Sequence, residues 1–217
     1  MTLRLGVLVS GSGSNLQAIL DAAASGRLDA EVRVVVSDNP AAFGLERARR
    51  AGVPAEVVPW SPDRPREDHD EAVVEALRRH GVDTVALAGY MRLVTARLLG
   101  AFPGRVLNIH PALLPAFPGL HVHEKVIAHG AKFSGCTVHF VDEGMDTGPI
   151  VCQAVVPVRD DDTPETLAAR ILREEHRIYP QALQYLAEGR LRVEGRRVLL
   201  DPPSPGSGTL HNPSVRF

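Results

Sequence analysis

The sequence predicts an α/β fold in which a mostly parallel sheet carries helices on both faces. The apolar run 3–9, in which Arg4 is the one charged residue, and the run 106–109, which Asn108 interrupts, are typical of strands that are buried on both sides in a parallel sheet. Segments with helical spacing alternate with these runs over the first half of the chain, which is the βαβ pattern. After residue 110 the sequence pattern changes. Two segments in which apolar and polar residues alternate precede a long segment with helical spacing.

The first half is expected to contain five strands, each followed by a turn or helix signal. The predicted strands lie at 3–9, 31–37, 55–58, 82–88 and 106–110. Helices are expected from residue 16 onward, at 43–50, at 66–80 and in a short segment that ends near 100. The order of the strands within the sheet does not follow from these patterns.

The second half begins with a proline-rich loop at 111–119 and a short predicted helix at 122–129. Strands at 134–141 and 150–158 are expected to pair antiparallel through the acidic, glycine-rich segment between them. Thr163 and Pro164 provide an N-cap and a proline at the first helical position, so a long helix begins there. Because of Pro180, this helix is expected to kink or end near residue 179. A small hairpin is expected at 189–200.

The predicted class is therefore α/β, a Rossmann-like mostly parallel sheet to which the C-terminal half adds an antiparallel strand pair and a long helix. With 217 residues, the chain is expected to form one domain over 1–200, with halves at 1–100 and 101–200. Residues 201–217 are rich in Pro, Ser and Gly and are expected to form a flexible tail.

Composition and charge exclude several classes of protein. The sequence is 44% hydrophobic and 23% charged, which is ordinary for a globular domain. With a net charge of -2, the chain does not have the excess of basic residues that is typical of nucleic-acid-binding proteins. No apolar run approaches the roughly 18 residues of a membrane span, and the first apolar run is too short for a signal peptide. Two cysteines without CxxC spacing suit a reducing compartment, so we expect a cytoplasmic protein.

The segment 10–15, Ser-Gly-Ser-Gly-Ser-Asn, lies between a predicted strand and a predicted helix. This arrangement directs backbone N–H groups and the positive end of a helix toward one point, which favours an anion such as phosphate. It is neither a dinucleotide fingerprint, because Leu16 replaces the last glycine, nor a P-loop. Ser14 and Asn15 could equally be plain helix N-caps. Asp38 lies where a dinucleotide enzyme keeps its ribose-binding acid, although such a turn also occurs without function.

A second candidate site lies at the end of the strand 106–110. Asn108 and His110 point to the same face of this strand, at the sheet edge where ligands bind in α/β folds. The alternative is that Asn108 caps a turn and His110 is a hydrogen-bonded core residue. If Asp146 approaches His110, an amide donor, an imidazole acid and a carboxylate together suit acyl transfer without a protein nucleophile. The substrate's own amine would then attack.

Five segments match one family in chain order: 10–17 (SGSGSNLQ), 87–92 (LAGYMR), 108–115 (NIHPALLP), 142–150 (DEGMDTGPI) and 175–180 (EHRIYP). With these segments the chain resembles the folate-dependent phosphoribosylglycinamide formyltransferases of purine biosynthesis. The resemblance implies transfer of a formyl group from 10-formyltetrahydrofolate to the primary amine of glycinamide ribonucleotide. It also implies an enzyme without a metal, in which the half 1–100 binds phosphate and the half 101–200 carries the folate site.

The resemblance implies a role for each matching residue. Asn108 would bind the formyl oxygen, His110 would be the general acid, and Asp146 would keep His110 protonated. The ribonucleotide would be held by the glycine loop and the last helix, through Gly13, Ser14, Asn15 and Glu175. The folate pocket would be lined by Arg66, Met91, Arg92, Leu93, Val94, Asn108, Asp142, Glu143, Gly144, Met145 and Asp146.

One departure from the family pattern concerns the phosphate. Leu172 lies where the family often has a basic or amide side chain, and Arg170 or Arg173 is a candidate substitute. The expected partners are the two small molecules, with neither nucleic acid nor membrane, and the chain is expected to be a monomer or a weak homodimer. Two rival functions are a metallohydrolase, suggested by His121 and His123 with His110 and His139 elsewhere in the chain, and a nucleotide-binding module without catalysis. The other histidines, His69, His80 and His129, are expected on solvated helix faces.

Overall fold

The protein is described by a computed structural model, which covers residues 1–203, 210 and 212. Nine strands and six helices lie within this part of the chain. In chain order they are β1 (Leu3–Val9), α1 (Ser14–Ala24), β2 (Ala30–Ser37), α2 (Phe43–Arg50), β3 (Ala55–Val57), α3 (Arg66–Arg79), β4 (Thr84–Leu87), α4 (Ala96–Ala101), β5 (Val106–His110), α5 (Val122–Ala128), β6 (Phe133–Phe140), β7 (Ile150–Pro157), α6 (Pro164–Ala187), β8 (Leu191–Glu194) and β9 (Arg197–Leu200).

All strands of the described residues belong to one sheet with the order β3-β2-β1-β4-β5-β6-β7-β9-β8. The first five strands in this order are parallel. β6 is antiparallel to both β5 and β7, which confirms the predicted strand pair. The strands that follow β1 are added on one side of it up to β3, and from β4 onward on its other side. At such a switch point, the carboxyl ends of the strands form a crevice that commonly binds ligands.

Two hydrophobic clusters cover the two faces of the sheet. One cluster joins the sheet to α1, α5 and α6, and the other joins it to α3 and α4. Side chains of β1 alternate between them, since Leu5 and Val7 belong to the first cluster and Leu8 to the second. This alternation between two buried faces explains why β1 has a continuous apolar sequence.

Helix α6 has the predicted start and a different end. The Thr163 side chain accepts a hydrogen bond from Thr166 N–H and the Thr166 hydroxyl accepts one from Thr163 N–H, a reciprocal capping box. Of the two expectations for Pro180, an end of the helix is wrong, because α6 continues to Ala187 with Pro180 inside it, whereas a kink stays a prediction. Proline removes one backbone hydrogen bond, whereas the face around Pro180 buries Tyr179 and Leu183 against the sheet. This burial outweighs the local preference.

The predicted hairpin forms and extends the sheet. β8 and β9 are antiparallel, and β9 joins β7 through the parallel pair Ile150 and Arg197. Most of the predicted tail 201–217 lies outside the described residues, and the domain limits stay a prediction. Asn212 is described, and its side-chain amide donates to the carbonyls of Lys132 and Val158.

Among the helices described, none is both long and apolar enough to cross a bilayer.

We predict that Tyr179→Phe destabilises the fold. The Tyr179 hydroxyl is fully buried, 3.1 Å from the Leu87 carbonyl oxygen and 3.0 Å from that of Leu107, so it links β4 and β5. Leaving these carbonyls without the donor costs about 1–3 kcal/mol. Urea denaturation measures the loss. Tyr185→Phe is the matched control, since Tyr185 is half-buried on the same helix. An equal effect of both substitutions would contradict the role of the hydroxyl.

Candidate active site

His110, the last residue of β5, lies at the carboxyl edge of the sheet with 5% of its surface exposed. Its Nδ1 atom is 3.3 Å from Oδ2 of Asp146, in the loop between β6 and β7. Asp146 has a φ of 55°, in the left-handed region that aspartate adopts more readily than most residues. The same carboxylate oxygen accepts the Gly119 N–H at 2.8 Å. The structure therefore brings His110 and Asp146 together.

The second ring nitrogen of His110 also has a partner. Its Nε2 atom lies 2.9 Å from the backbone carbonyl oxygen of Phe117, a residue with a φ of 53° in the proline-rich loop. A carbonyl oxygen only accepts hydrogen bonds, so Nε2 carries a hydrogen in this arrangement. With a carboxylate at Nδ1 and a carbonyl at Nε2, both ring nitrogens face acceptors.

Asn108 lies on the same strand face as His110, as predicted, and contacts His139, which the sequence suggested only as part of a metal site. Its Nδ2 atom is 3.2 Å from Nε2 of His139 in β6. His139 is 2% exposed, and its position follows from the antiparallel register, in which Asn108 and His139 are direct partners. The sequence shows a histidine in the predicted strand 134–141. Only the order and register of the strands place this histidine beside Asn108.

The glycine loop ends in a close approach between α1 and α2. Gly13 is the N-cap residue of α1 with a φ of 67°, and the helix begins at Ser14. A Cβ atom on Gly13 would lie 2.6 Å from the Cα of Gly44, and Gly44 N–H donates to the carbonyl of Gly11. No side chain caps this helix, so the suggestion that Ser14 and Asn15 are N-caps is wrong. The first N–H groups of α1 are thus available to an anion.

Asn15 and Glu175 meet in the interior beside this loop. The Asn15 side-chain amide donates to Glu175 Oε2 at 2.7 Å, and both residues are buried, 7% and 6% exposed. Burial raises the pKa of Glu175, and the bond from Asn15 partly opposes that rise. Asn15 Oδ1 is buried without a hydrogen-bond partner. The pair therefore presents acceptor oxygens that would suit a ligand with hydroxyl or amine donors.

A cavity of about 310 Å³ begins at Ser14 and follows α1. Arg47 lines it and was not predicted, because the packing of α2 against α1 brings it there. Its Nε donates to the Ser12 carbonyl and its Nη1 donates to the Gln17 side chain. The full lining consists of Ser14, Gln17, Ala18, Asp21, Arg27, Arg47 and His176.

Arg170 does not reach this cavity. Both of its terminal nitrogens lie 2.7 Å from the carboxylate of Asp162, and Nη1 also donates to the Pro157 carbonyl. The suggestion that Arg170 substitutes for a polar side chain at Leu172 is therefore wrong. Arg173 is exposed on α6 and is not among the lining residues of the cavity.

A second cavity, of about 160 Å³, contains most of the residues expected on the folate side. Arg92 is fixed there by Asp38 Oδ2, 2.6 Å from its Nε, and by the ring of Trp60, 4.2 Å from its Cζ. Asp38 thus pairs with arginine, an alternative to the ribose role considered above. The lining residues are Trp60, Arg66, His69, Asp70, Met91, Arg92 and Leu93.

Val94 and the loop 142–146 lie elsewhere. Val94 is half-buried and packs against the second hydrophobic cluster. The Asp142 carboxylate accepts from Gly144 N–H and from the Thr147 hydroxyl, which shapes the loop that carries Asp146. Glu143, Gly144 and Met145 are exposed on this loop. The expected folate residues therefore form two separate groups, one around Arg66 and Met91 and one next to His110.

The histidines at 121 and 69 have partners other than a metal ion. Within the described residues, no group of three or more His, Cys, Asp or Glu side chains could hold a metal ion. His121 instead pairs with Glu124 at 3.0 Å. His69 was expected on a solvated helix face, which is wrong, because it is 2% exposed and its Nε2 lies 2.8 Å from the Tyr90 hydroxyl.

Comparison with known proteins gives the family. The sequence profile described as Formyl transferase matches residues 3–183. The chain belongs to the formyl transferase family. Its Asn108, His110 and Asp146 lie inside the matched segment.

Relatives of this formyl transferase carry more specific names. The chain is 42% identical over 195 residues to a phosphoribosylglycinamide formyltransferase of Escherichia coli, covering 90% of this chain and 92% of the relative. It is 46% identical over 189 residues to the trifunctional purine biosynthetic protein adenosine-3 of Drosophila melanogaster, covering 86% of this chain but only 14% of that protein.

A solved structure with a similar fold is glycinamide ribonucleotide transformylase 1 from Symbiobacterium toebii. It superimposes with a TM-score of 0.90 at 57% sequence identity. The match covers 92% of this chain and 94% of that one. The α/β architecture, including the antiparallel strand pair and the long helix α6, is therefore shared with this structure.

We predict that Gly13→Ala destabilises this formyl transferase while Gly11→Ala does not. Alanine at 13 would need a left-handed backbone, which costs about 1–2 kcal/mol, and its Cβ would collide with α2. At Gly11 a Cβ has nothing within 4 Å, so this substitution is a control in the same loop. Urea denaturation measures both, and equal stability of the two variants would contradict the close approach.

Proposed function

We propose that this formyl transferase moves the formyl group of 10-formyltetrahydrofolate to the primary amine of glycinamide ribonucleotide. The products are formylglycinamide ribonucleotide and tetrahydrofolate, in purine biosynthesis. The observation that supports this most is His110, whose ring nitrogens face Asp146 and the Phe117 carbonyl, next to the Asn108 amide at the sheet edge. The names of the Escherichia coli and Symbiobacterium toebii relatives support the choice of substrate.

The proposed reaction needs no nucleophile from the protein. The amine of the ribonucleotide attacks the formyl carbon and forms a tetrahedral intermediate. The Asn108 amide donates to the oxygen of this intermediate, and the charged His110 ring stabilises the same negative charge. The attacking nitrogen loses one proton, and His110 gives one proton to the folate nitrogen, so that the two transfers balance. The bond from the folate nitrogen to the formyl carbon then breaks, and tetrahydrofolate leaves.

His110 acts as the general acid in this proposal, and Asp146 keeps it protonated. Its Nε2–H faces the Phe117 carbonyl at 2.9 Å, and its Nδ1 faces Asp146 at 3.3 Å. Donation to a substrate therefore requires that Nε2–H exchanges the Phe117 carbonyl for a substrate atom. Phe117 lies in the loop 111–121, so this loop has to move the Phe117 carbonyl away from Nε2 when the substrates bind.

The ribonucleotide would lie between α1 and α6. Backbone N–H groups at Gly13, Ser14 and Asn15 would bind its phosphate, with Arg47 adding positive charge to the cavity. Glu175 and the free Oδ1 of Asn15 would accept hydrogen bonds from the ribose or the glycinamide. These contacts lie in both halves of the chain, because Glu175 belongs to α6.

The folate would contact two surfaces of the proposed single domain 1–200. The cavity around Arg66, Met91, Arg92 and Leu93 offers cations and apolar side chains, and Val94 follows Leu93 in the chain. The loop Asp142 to Asp146 offers backbone groups next to His110. A folate that spans both surfaces would place its formyl group at Asn108.

The substrate assignment is tested by a rate measurement with and without the acceptor. We expect tetrahydrofolate to form from 10-formyltetrahydrofolate only when glycinamide ribonucleotide is present, because the acceptor amine is the nucleophile. A rate that is independent of the ribonucleotide would point to water as the acceptor instead. Binding of both molecules without turnover would favour a nucleotide-binding module.

We predict that His110→Ala and Asp146→Ala each lower kcat by about 10²–10⁴-fold, the contribution of a positioned general acid. KM for either substrate should change little, because neither side chain holds the phosphate and the loop 142–146 would contact the folate through backbone groups, which both substitutions keep. Steady-state kinetics measure both constants. His80→Ala is the control, since His80 pairs with Glu56 at the end of α3. Turnover near that of the unmodified enzyme in either active-site variant would refute the assignment.

A further inference from the structure

His139 lies directly opposite Asn108 in the antiparallel pair of β5 and β6. Direct partners in such a pair project from the same face of the sheet, so the two side chains meet. The register of β6 against β7 shifts between Val138 and His139, an irregularity of the kind that redirects a side chain near functional sites. His139 has no role in the reaction as proposed above.

The two hydrogen bonds of His139 determine where its proton lies. Its Nδ1 is 2.8 Å from the carbonyl oxygen of Phe140, which only accepts, so Nδ1 carries the hydrogen. Its Nε2 is 3.2 Å from the Asn108 side-chain nitrogen, which only donates, so Nε2 is an unprotonated acceptor. The ring is therefore neutral, in the Nδ1–H tautomer.

The surroundings of His139 favour this neutral form. Burial lowers the pKa of His139, and the nearby His110 lowers it further, whereas the Phe140 carbonyl, Asp146 and Asp142 raise it. The carboxylate Oδ1 of Asp146 lies 3.8 Å from Nε2, too far for a good hydrogen bond. The opposite orientation of the Asn108 amide would require a hydrogen on Nε2, which means a buried charged ring or the other tautomer, without the bond to Phe140.

We propose that His139 is a positioning residue that holds the Asn108 amide with its nitrogen toward the oxyanion. This inference rests on the proposed formyl transfer. One N–H of Asn108 is bonded to His139, which leaves the second N–H for the formyl oxygen. Without the acceptor at position 139, the amide can rotate by half a turn and present its own oxygen to the developing negative charge.

A double-mutant cycle with Asn108→Ala tests this coupling. We expect His139→Phe to lower kcat about tenfold or more, less than the about 10²–10³-fold cost of removing an oxyanion donor itself. KM for both substrates should stay within about twofold, since ground-state binding is not altered. In the Asn108→Ala background the same substitution should lower kcat by less than about twofold, because the residue it positions is absent. Equal losses in both backgrounds, or no loss in either, would overturn the proposal.

A spectroscopic measurement on the unmodified protein is independent of folding defects and of the substrates. Long-range ¹H–¹⁵N spectra distinguish the Nδ1–H tautomer from the Nε2–H tautomer and from the charged ring. We expect His139 to be neutral with its hydrogen on Nδ1 at pH 7. A hydrogen on Nε2, in either the neutral or the charged ring, would overturn the inference even if formyl transfer is observed. Loss of formyl transfer with the Nδ1–H tautomer present would refute only the proposed function.

Discussion

The site depends on one buried ring that has an acceptor at each nitrogen. His110 lies at the end of β5 with Asp146 at Nδ1 and the Phe117 carbonyl at Nε2. Both partners come from residues with positive φ, Phe117 in the loop after β5 and Asp146 in the loop between β6 and β7. In the proposed reaction the ring is charged, and a buried charge is tolerable only because these acceptors replace the water it has lost. The two loop conformations therefore determine the partners of His110, and in the proposal a substrate displaces one of them.

A second constraint fixes the start of α1, which lies against both α2 and α6. The absence of side chains at Gly13 and Gly44 lets the starts of α1 and α2 approach each other, which leaves the first N–H groups of α1 uncapped. The buried bond between Asn15 and Glu175 ties the same helix start to α6. Because α6 also links β4 and β5 through the Tyr179 hydroxyl, the start of α1 and the strand that carries His110 belong to one packed unit.

Much of the fold could be predicted from the sequence, because local patterns determine it. The continuous apolar strands, the Thr163–Pro164 helix start and the antiparallel pair β6 and β7 all form as expected. What could not be predicted depends on packing. Helix α6 passes Pro180 because its buried face outweighs one lost hydrogen bond. His139 and Arg47 join the site through strand pairing and helix contacts that leave no local signal. The grouping of His110 with Asp146 was expected, whereas the Phe117 carbonyl at Nε2 was not.

The central claim is that His110 exchanges the Phe117 carbonyl for a substrate atom. A crystal structure with glycinamide ribonucleotide and a folate analogue that carries a formyl-like carbonyl but cannot transfer it tests this most directly. The proposal predicts a ligand atom in place of the Phe117 carbonyl at His110 Nε2, with the analogue's carbonyl oxygen about 3 Å from Asn108 Nδ2. A complex in which both ligands are bound while the Phe117 carbonyl still occupies His110 Nε2 would contradict it.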